Sequence, residues 1–127
     1  MRQNKARPVF LNLLQISLPP TAIASILHRV AGVLLIVSLP FLIYLFEMSL
    51  RDQPSFTKAM QLSQSTLVSL YLYALLWAIS HHFIAGIRYF LVDIEWISGK
   101  SASRISAFVV LAGGLIIPVL VYLGAIL

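Results

Sequence analysis

Three long stretches of this chain carry almost no charge, and shorter polar clusters separate them. The first runs from Thr21 to about Phe46. Between Arg29 and Glu47 lie 17 uncharged residues, which as a helix cover about 25 Å, close to the ~30 Å hydrocarbon core of a bilayer. Pro40 falls inside this stretch and should kink it. The second runs from about Ser65 to Val92, with no charge from Ala59 to Ser80 and an apolar part that begins at Leu67. The third, Ile105 to Leu127, has no charge in 23 residues. Its Gly113-Gly114 pair and Pro118 are tolerated in membrane helices and allow close packing or a bend. The pattern predicts spanning helices over 21–46, 65–92 and 105–127. Residues 1–20 form an arm that Arg7-Pro8 and Pro19-Pro20 keep from being one continuous helix, and Thr21 is a suitable N-cap after the prolines. Residues 47–64, with Arg51, Asp52, Pro54 and Lys58, read as a polar loop, and 93–103, with Glu95, Gly99 and Lys100, as a second. No internal repeat or low-complexity segment interrupts this order. The expectation is an all-α integral membrane protein forming one domain over 1–127.

Composition supports that class. Of the 127 residues, 60% are hydrophobic and 10% charged, and the mean hydropathy is +0.94. A soluble domain carries roughly a quarter charged residues, so this chain could not cover a surface that faces water. It has no cysteine, which excludes disulfides, thiolate metal sites and an iron–sulfur cluster held by the chain itself. The net charge of +5 points to topology and anionic headgroups rather than to nucleic acid. Neither a secretory signal nor an Arg/Ser-rich transit peptide is evident, which suggests a bacterial inner-membrane protein. With three spans the termini lie on opposite sides. Seven cations (Arg2, Lys5, Arg7, Arg29, Arg88, Lys100, Arg104) fall on one side, and two, Arg51 and Lys58, on the other. The positive-inside rule then places the N-terminus in the cytoplasm and the C-terminus in the periplasm.

Candidate chemistry sits on two helices. At ~3.6 residues per turn, His82, Gly86 and Tyr89 share a face of the second span. The His82 imidazole projects over a place with no side chain, at Gly86, where a flat cofactor could approach the backbone. Arg88 and Asp93 follow where the segment leaves the bilayer. On the first span, Ser25, His28, Arg29 and Gly32 are spaced to line one face. The topology brings both clusters to similar depth. Ionisable groups there are costly and usually face a partner, cavity or cofactor. Simpler roles stand beside these. His81 reads as a packed or lipid-interface histidine, Arg29 as a snorkelling anchor and Arg88 as a topology anchor. Asp93 and Glu95 read as solvated loop charges, and Tyr71, Tyr73, Trp77 and Trp96 as interface-belt aromatics.

The motifs together resemble a known family. Arg7-Pro8-Val9, then Ser25-Ile26-Leu27-His28-Arg29, then His82-x-x-x-Gly86-Ile87-Arg88-x-x-x-x-Asp93, is similar to the cytochrome b membrane-anchor subunits of succinate dehydrogenase, respiratory complex II. The likeness covers roughly residues 7–93; Ala31, Tyr89 and Val92 depart from the family's usual residues. The resemblance implies that His82 is an axial ligand of the iron of a haem b, that His28 and Arg29 hold its propionates, and that Gly86 and Arg88 adjoin the cofactor. It implies that Ser25 and Arg29 bind ubiquinone. It implies three partners: a second membrane-anchor subunit, which supplies the other axial ligand, an iron–sulfur subunit and a flavoprotein subunit. The chain would then be one subunit of succinate:quinone oxidoreductase, not catalytic alone. It would serve the respiratory chain and the tricarboxylic acid cycle by passing electrons from succinate to quinone. A fumarate reductase anchor, and a small membrane transporter or assembly protein using the same polar face, are the alternative readings.

Overall fold

The computed structural model describes residues 17–126. Most of the expected arm, with Arg2, Lys5, Arg7 and Pro8, lies outside the described residues, as does Leu127. The elements are α1 (Pro20–Arg51), α2 (Gln53–Gln64), α3 (Thr66–Asp93) and α4 (Lys100–Ile126), and no strand occurs among the described residues. Three of the helices, α1, α3 and α4, are long and apolar enough to cross a membrane.

The polar stretch 47–64 is where the structure departs from the expected loop. α1 continues past Phe46 to Arg51, whose guanidinium meets Glu47 one turn back at 2.6 Å. Asp52 then adopts an extended backbone and its Oδ1 accepts the Ser55 amide at 2.7 Å. An aspartate N-cap with proline in the first turn is a strong helix start, and α2 follows. It is short and amphipathic and buries Ala59. α1 also begins on a proline signal: Pro19 is extended, Pro20 opens the helix, and the Pro19 carbonyl accepts the amides of Ala22 and Ile23 at 2.9 and 3.2 Å. α1 runs through Pro40 as one helix, although proline cannot donate the backbone bond at that position. Two residues earlier the Ser38 hydroxyl bonds back to the Leu34 carbonyl and accepts from the Tyr71 hydroxyl of α3. α4 begins at Lys100, five residues before the expected start. The turn into it uses left-handed backbone at Glu95 (φ 61) and Gly99 (φ 84). It returns the Glu95 and Ile97 amides to the last carbonyls of α3.

α3 packs against both α1 and α4, which also touch each other, while α2 leans on α1 and α3. The interior is built from small residues. On α1 the buried positions are Ala24, Ala31 and Ser38, seven apart; from α3 come Ala78 and Ala85, and from α4 Ala107 and Val110. Where lipid is as apolar as the side chains, close backbone approach replaces hydrophobic drive as the source of helix association. Gly113 and Gly114 serve this purpose. A Cβ on Gly114 would lie 2.7 Å from His81 Nδ1, and one on Gly113 would lie 2.9 Å from Ile84 Cδ1. The long apolar side chains point outward, toward lipid or partners.

Candidate functional site

α1 and α3 bring the two polar clusters into direct contact. The His82 ring lies against α1, stacked on His28 with centroids 4.1 Å apart and planes 10° from parallel. Its Nδ1 is 3.1 Å from the backbone carbonyl of His28. A carbonyl only accepts, so this bond requires the proton on Nδ1, which leaves the Nε2 lone pair for another partner. Gly32 makes the approach possible: a Cβ there would stand 3.0 Å from His82 Cε1 and 3.3 Å from Nδ1. Tyr89, one turn beyond Gly86, closes on His28 with ring centroids 5.2 Å apart.

Beside His82 the surface is open at Gly86, where a Cβ would meet nothing within 4 Å. A shallow groove of about 390 Å³ runs over it, lined by His82, Phe83, Gly86, Ile87 and Phe90. An imidazole with a fixed Nδ1–H, next to a flat apolar groove floored by glycine, suits a planar macrocycle whose metal takes one protein nitrogen. Among the described residues no three His, Asp or Glu side chains converge. A porphyrin supplies four of iron's ligands itself, so one histidine from this chain suffices. The residues present therefore fit a haem. On α1, Ser25 is half-buried and Arg29 exposed. They stand one turn apart, near the start of α1.

Arg88 is not brought to the histidine pair. Its guanidinium turns to α4, donating from Nε to Ser106 Oγ at 3.0 Å and from Nη2 to the Ser103 carbonyl and hydroxyl at 3.2 and 3.1 Å. It also lies 5.5 Å from the Tyr89 ring centroid. Sequence reasoning missed this contact because 93–103 read as a loop, which hid Ser103 and Ser106 as helical neighbours three apart. His81 is buried against Trp77, the rings 5.5 Å apart and nearly parallel. Its Nε2 has no hydrogen-bond partner among the described residues.

The fold and site define an all-helical, multi-pass membrane protein with a histidine pair locked at a helix–helix contact. The sequence matches the succinate dehydrogenase/fumarate reductase transmembrane subunit family over residues 3–121. It is 34% identical over 108 residues to the succinate dehydrogenase cytochrome b556 subunit of Coxiella burnetii (strain RSA 493 / Nine Mile phase I), an alignment covering 84% of this chain and 86% of that one. The chain belongs to the succinate dehydrogenase/fumarate reductase transmembrane subunit family. It is thus a membrane component of a complex II enzyme, which sets aside the transporter and assembly-protein readings.

Proposed function

We propose that the chain is the haem-b- and ubiquinone-binding anchor of succinate:quinone oxidoreductase, one membrane domain over 1–127 in a bacterial inner membrane. The observation that carries this reading is the His82 ring. Its Nδ1–H is spent on the His28 carbonyl at 3.1 Å, and it stands beside the open groove over Gly86. Haem b, when bound, supplies a one-electron carrier between the iron–sulfur subunit and quinone. His82 Nε2 would ligate its iron, Gly86 would let the ring plane approach α3, and His28 and Arg29 would hold the propionates. Arg88 would act on the cofactor at one remove, by holding α4 against the helix that carries His82 and Gly86.

Ubiquinone would take the Ser25 hydroxyl and the Arg29 guanidinium as donors to a carbonyl oxygen. Arg29 would also stabilise the negative charge that develops there as electrons arrive. Electrons would come from succinate by way of the flavoprotein and iron–sulfur subunits, and a second anchor chain would complete the membrane part. The cation count puts the N-terminus in the cytoplasm and the C-terminus in the periplasm. The name of the Coxiella relative supports succinate oxidation as the direction.

The test is a reduced-minus-oxidised spectrum of membranes containing the whole complex. His82→Ala should abolish the native low-spin signal while His81→Ala keeps it. An unchanged spectrum in His82→Ala removes the ligand assignment.

A further inference from the structure

A second cleft, of about 500 Å³, opens between α3 and α4 near the turn that joins them. Ile84, Leu91, Val109 and Val110 form its walls and Trp96 stands at its rim. Val110 is buried, but Val109 is 61% and Trp96 80% exposed in the chain alone. The cleft is therefore continuous with the outward apolar face. Arg88 lines it although only 7% exposed. Three hydrogen bonds to Ser103 and Ser106 hold the guanidinium, yet no carboxylate lies within ion-pair distance among the described residues, where the one ion pair is Arg51–Glu47. Nη1 has no hydrogen-bond partner among the described residues either. A buried cation whose partners are only a carbonyl and two hydroxyls gains further stabilisation from an anion.

Position narrows the choice of anion. Arg88 lies five residues before the end of α3, or about 7–8 Å along the axis, a headgroup-level depth. From Arg88 to Ile84 the apolar wall runs about 6 Å further inward. Trp at the rim is an interface residue by habit. Lys100 and Arg104, at the start of α4, add positive charge at the same end. The guest must therefore combine one anionic head with a slender apolar tail. We propose that this cleft is a site for an anionic phospholipid, its phosphodiester on Arg88 and one acyl chain along Ile84, Val109 and Val110. Basic pockets between spanning helices are suited to such headgroups.

The assembled complex, purified in mild detergent, is washed, reconstituted with phosphatidylglycerol or phosphatidylcholine, and its retained lipid counted by native mass spectrometry. One phosphatidylglycerol per copy of this chain should survive washing. Its occupancy should fall at least tenfold in Arg88→Gln, which removes the charge, and in Val109→Trp, which fills the cleft. Phosphatidylcholine should be retained at least fivefold less. Equal retention by wild type and Val109→Trp would overturn the site, and so would equal retention of the two lipids. A photoreactive side chain at position 109 that couples to another subunit instead of lipid would assign the cleft to subunit packing and overturn it as well. Should Arg88→Gln fail to assemble, Val109→Trp and the photocoupling decide alone. Haem occupancy over Gly86 does not enter these readouts, so loss of the haem reading and loss of the lipid site are separate results.

Discussion

At residue scale the candidate site is a set of side chains whose freedom has been removed from one side only. His82 has its Nδ1 edge fixed by α1 and its other nitrogen left over, while Ser25 is half-buried and Arg29 exposed, neither making a side-chain hydrogen bond among the described residues. For the last two the expected experiment is a split. Ser25→Ala and Arg29→Ala should impair succinate-dependent quinone reduction while flavin turnover with an artificial acceptor survives. Losing a hydrogen bond to a charged group typically costs roughly 1.5–3 kcal/mol, or about tenfold or more in rate. Normal quinone reduction in both variants would take them out of the site. Gly32 yields a subtler prediction. Gly32→Ala places a methyl group 3.0 Å from His82 Cε1, so the ring must shift by a few tenths of an ångström. The helix-propensity gain of up to about 1 kcal/mol is then offset by an overpacking cost of about 1–3 kcal/mol. The complex should still assemble, but with a displaced haem midpoint potential; an unchanged potential would mean that the seat is slack. The shared depth of the His28 and His82 clusters was legible in sequence, because antiparallel spans return α3 to the end where α1 begins. The Gly32 contact was not, since helical spacing places a glycine on a face without saying which atom of the opposite helix fills the gap.

At element scale the three spans were legible because each is a long uncharged run, too long for a barrel strand and long enough for a helix that satisfies its own backbone in lipid. α2 was not, because polarity outweighed its local signals. Asp52-Gln53-Pro54 is a helix start, and Phe56, Ala59, Met60 and Ser63 recur at helical spacing. Those signals make a prediction about pH. The Ser55 amide, bonded to Asp52, holds this carboxyl below its ordinary 3.8. A depressed carboxylate contributes stability above its unfolded value and loses it as pH falls through the folded one. The first turn of α2 should therefore fray below about pH 4, read as faster amide exchange at Ser55 and Phe56 after correction for intrinsic rates. Asp52→Ala should produce the same fraying at neutral pH, whereas Asp52→Asn, which keeps a capping oxygen, should protect both amides throughout. The effect should be small and sensitive to salt, since the cap is fully exposed. Equal exchange at pH 3 and 7 would show that packing of Ala59 alone holds α2.

At the scale of the whole molecule two properties depend on what surrounds the chain. The first is orientation. Cysteines placed singly at Ser55, before α3, and Ser101, at the start of α4, should label oppositely with an impermeant thiol reagent, position 55 from outside and 101 only after lysis; the reverse would invert the topology. The second is which chain would complete a haem at His82. Two imidazoles that ligate one iron must stand on opposite faces of the macrocycle. His81 and His82 are adjacent on α3, about 100° apart around it, and His81 is buried against Trp77 and α4. That leaves His28 as the second candidate within the chain. But the His28 and His82 rings are stacked face to face at 4.1 Å, which leaves no room for a porphyrin between them. The open side of His82 is the groove over Gly86, on the outward surface of α3, where a neighbouring subunit can face it. We therefore expect that a haem ligated there would take any second protein nitrogen from another chain. His28→Ala, in the assembled complex, should therefore keep a low-spin, bis-histidine spectrum and shift its potential through the lost stacking and propionate contact. A high-spin haem in that variant, with the partner anchor present, would show that both ligands come from this chain and that the haem lies between α1 and α3 after all.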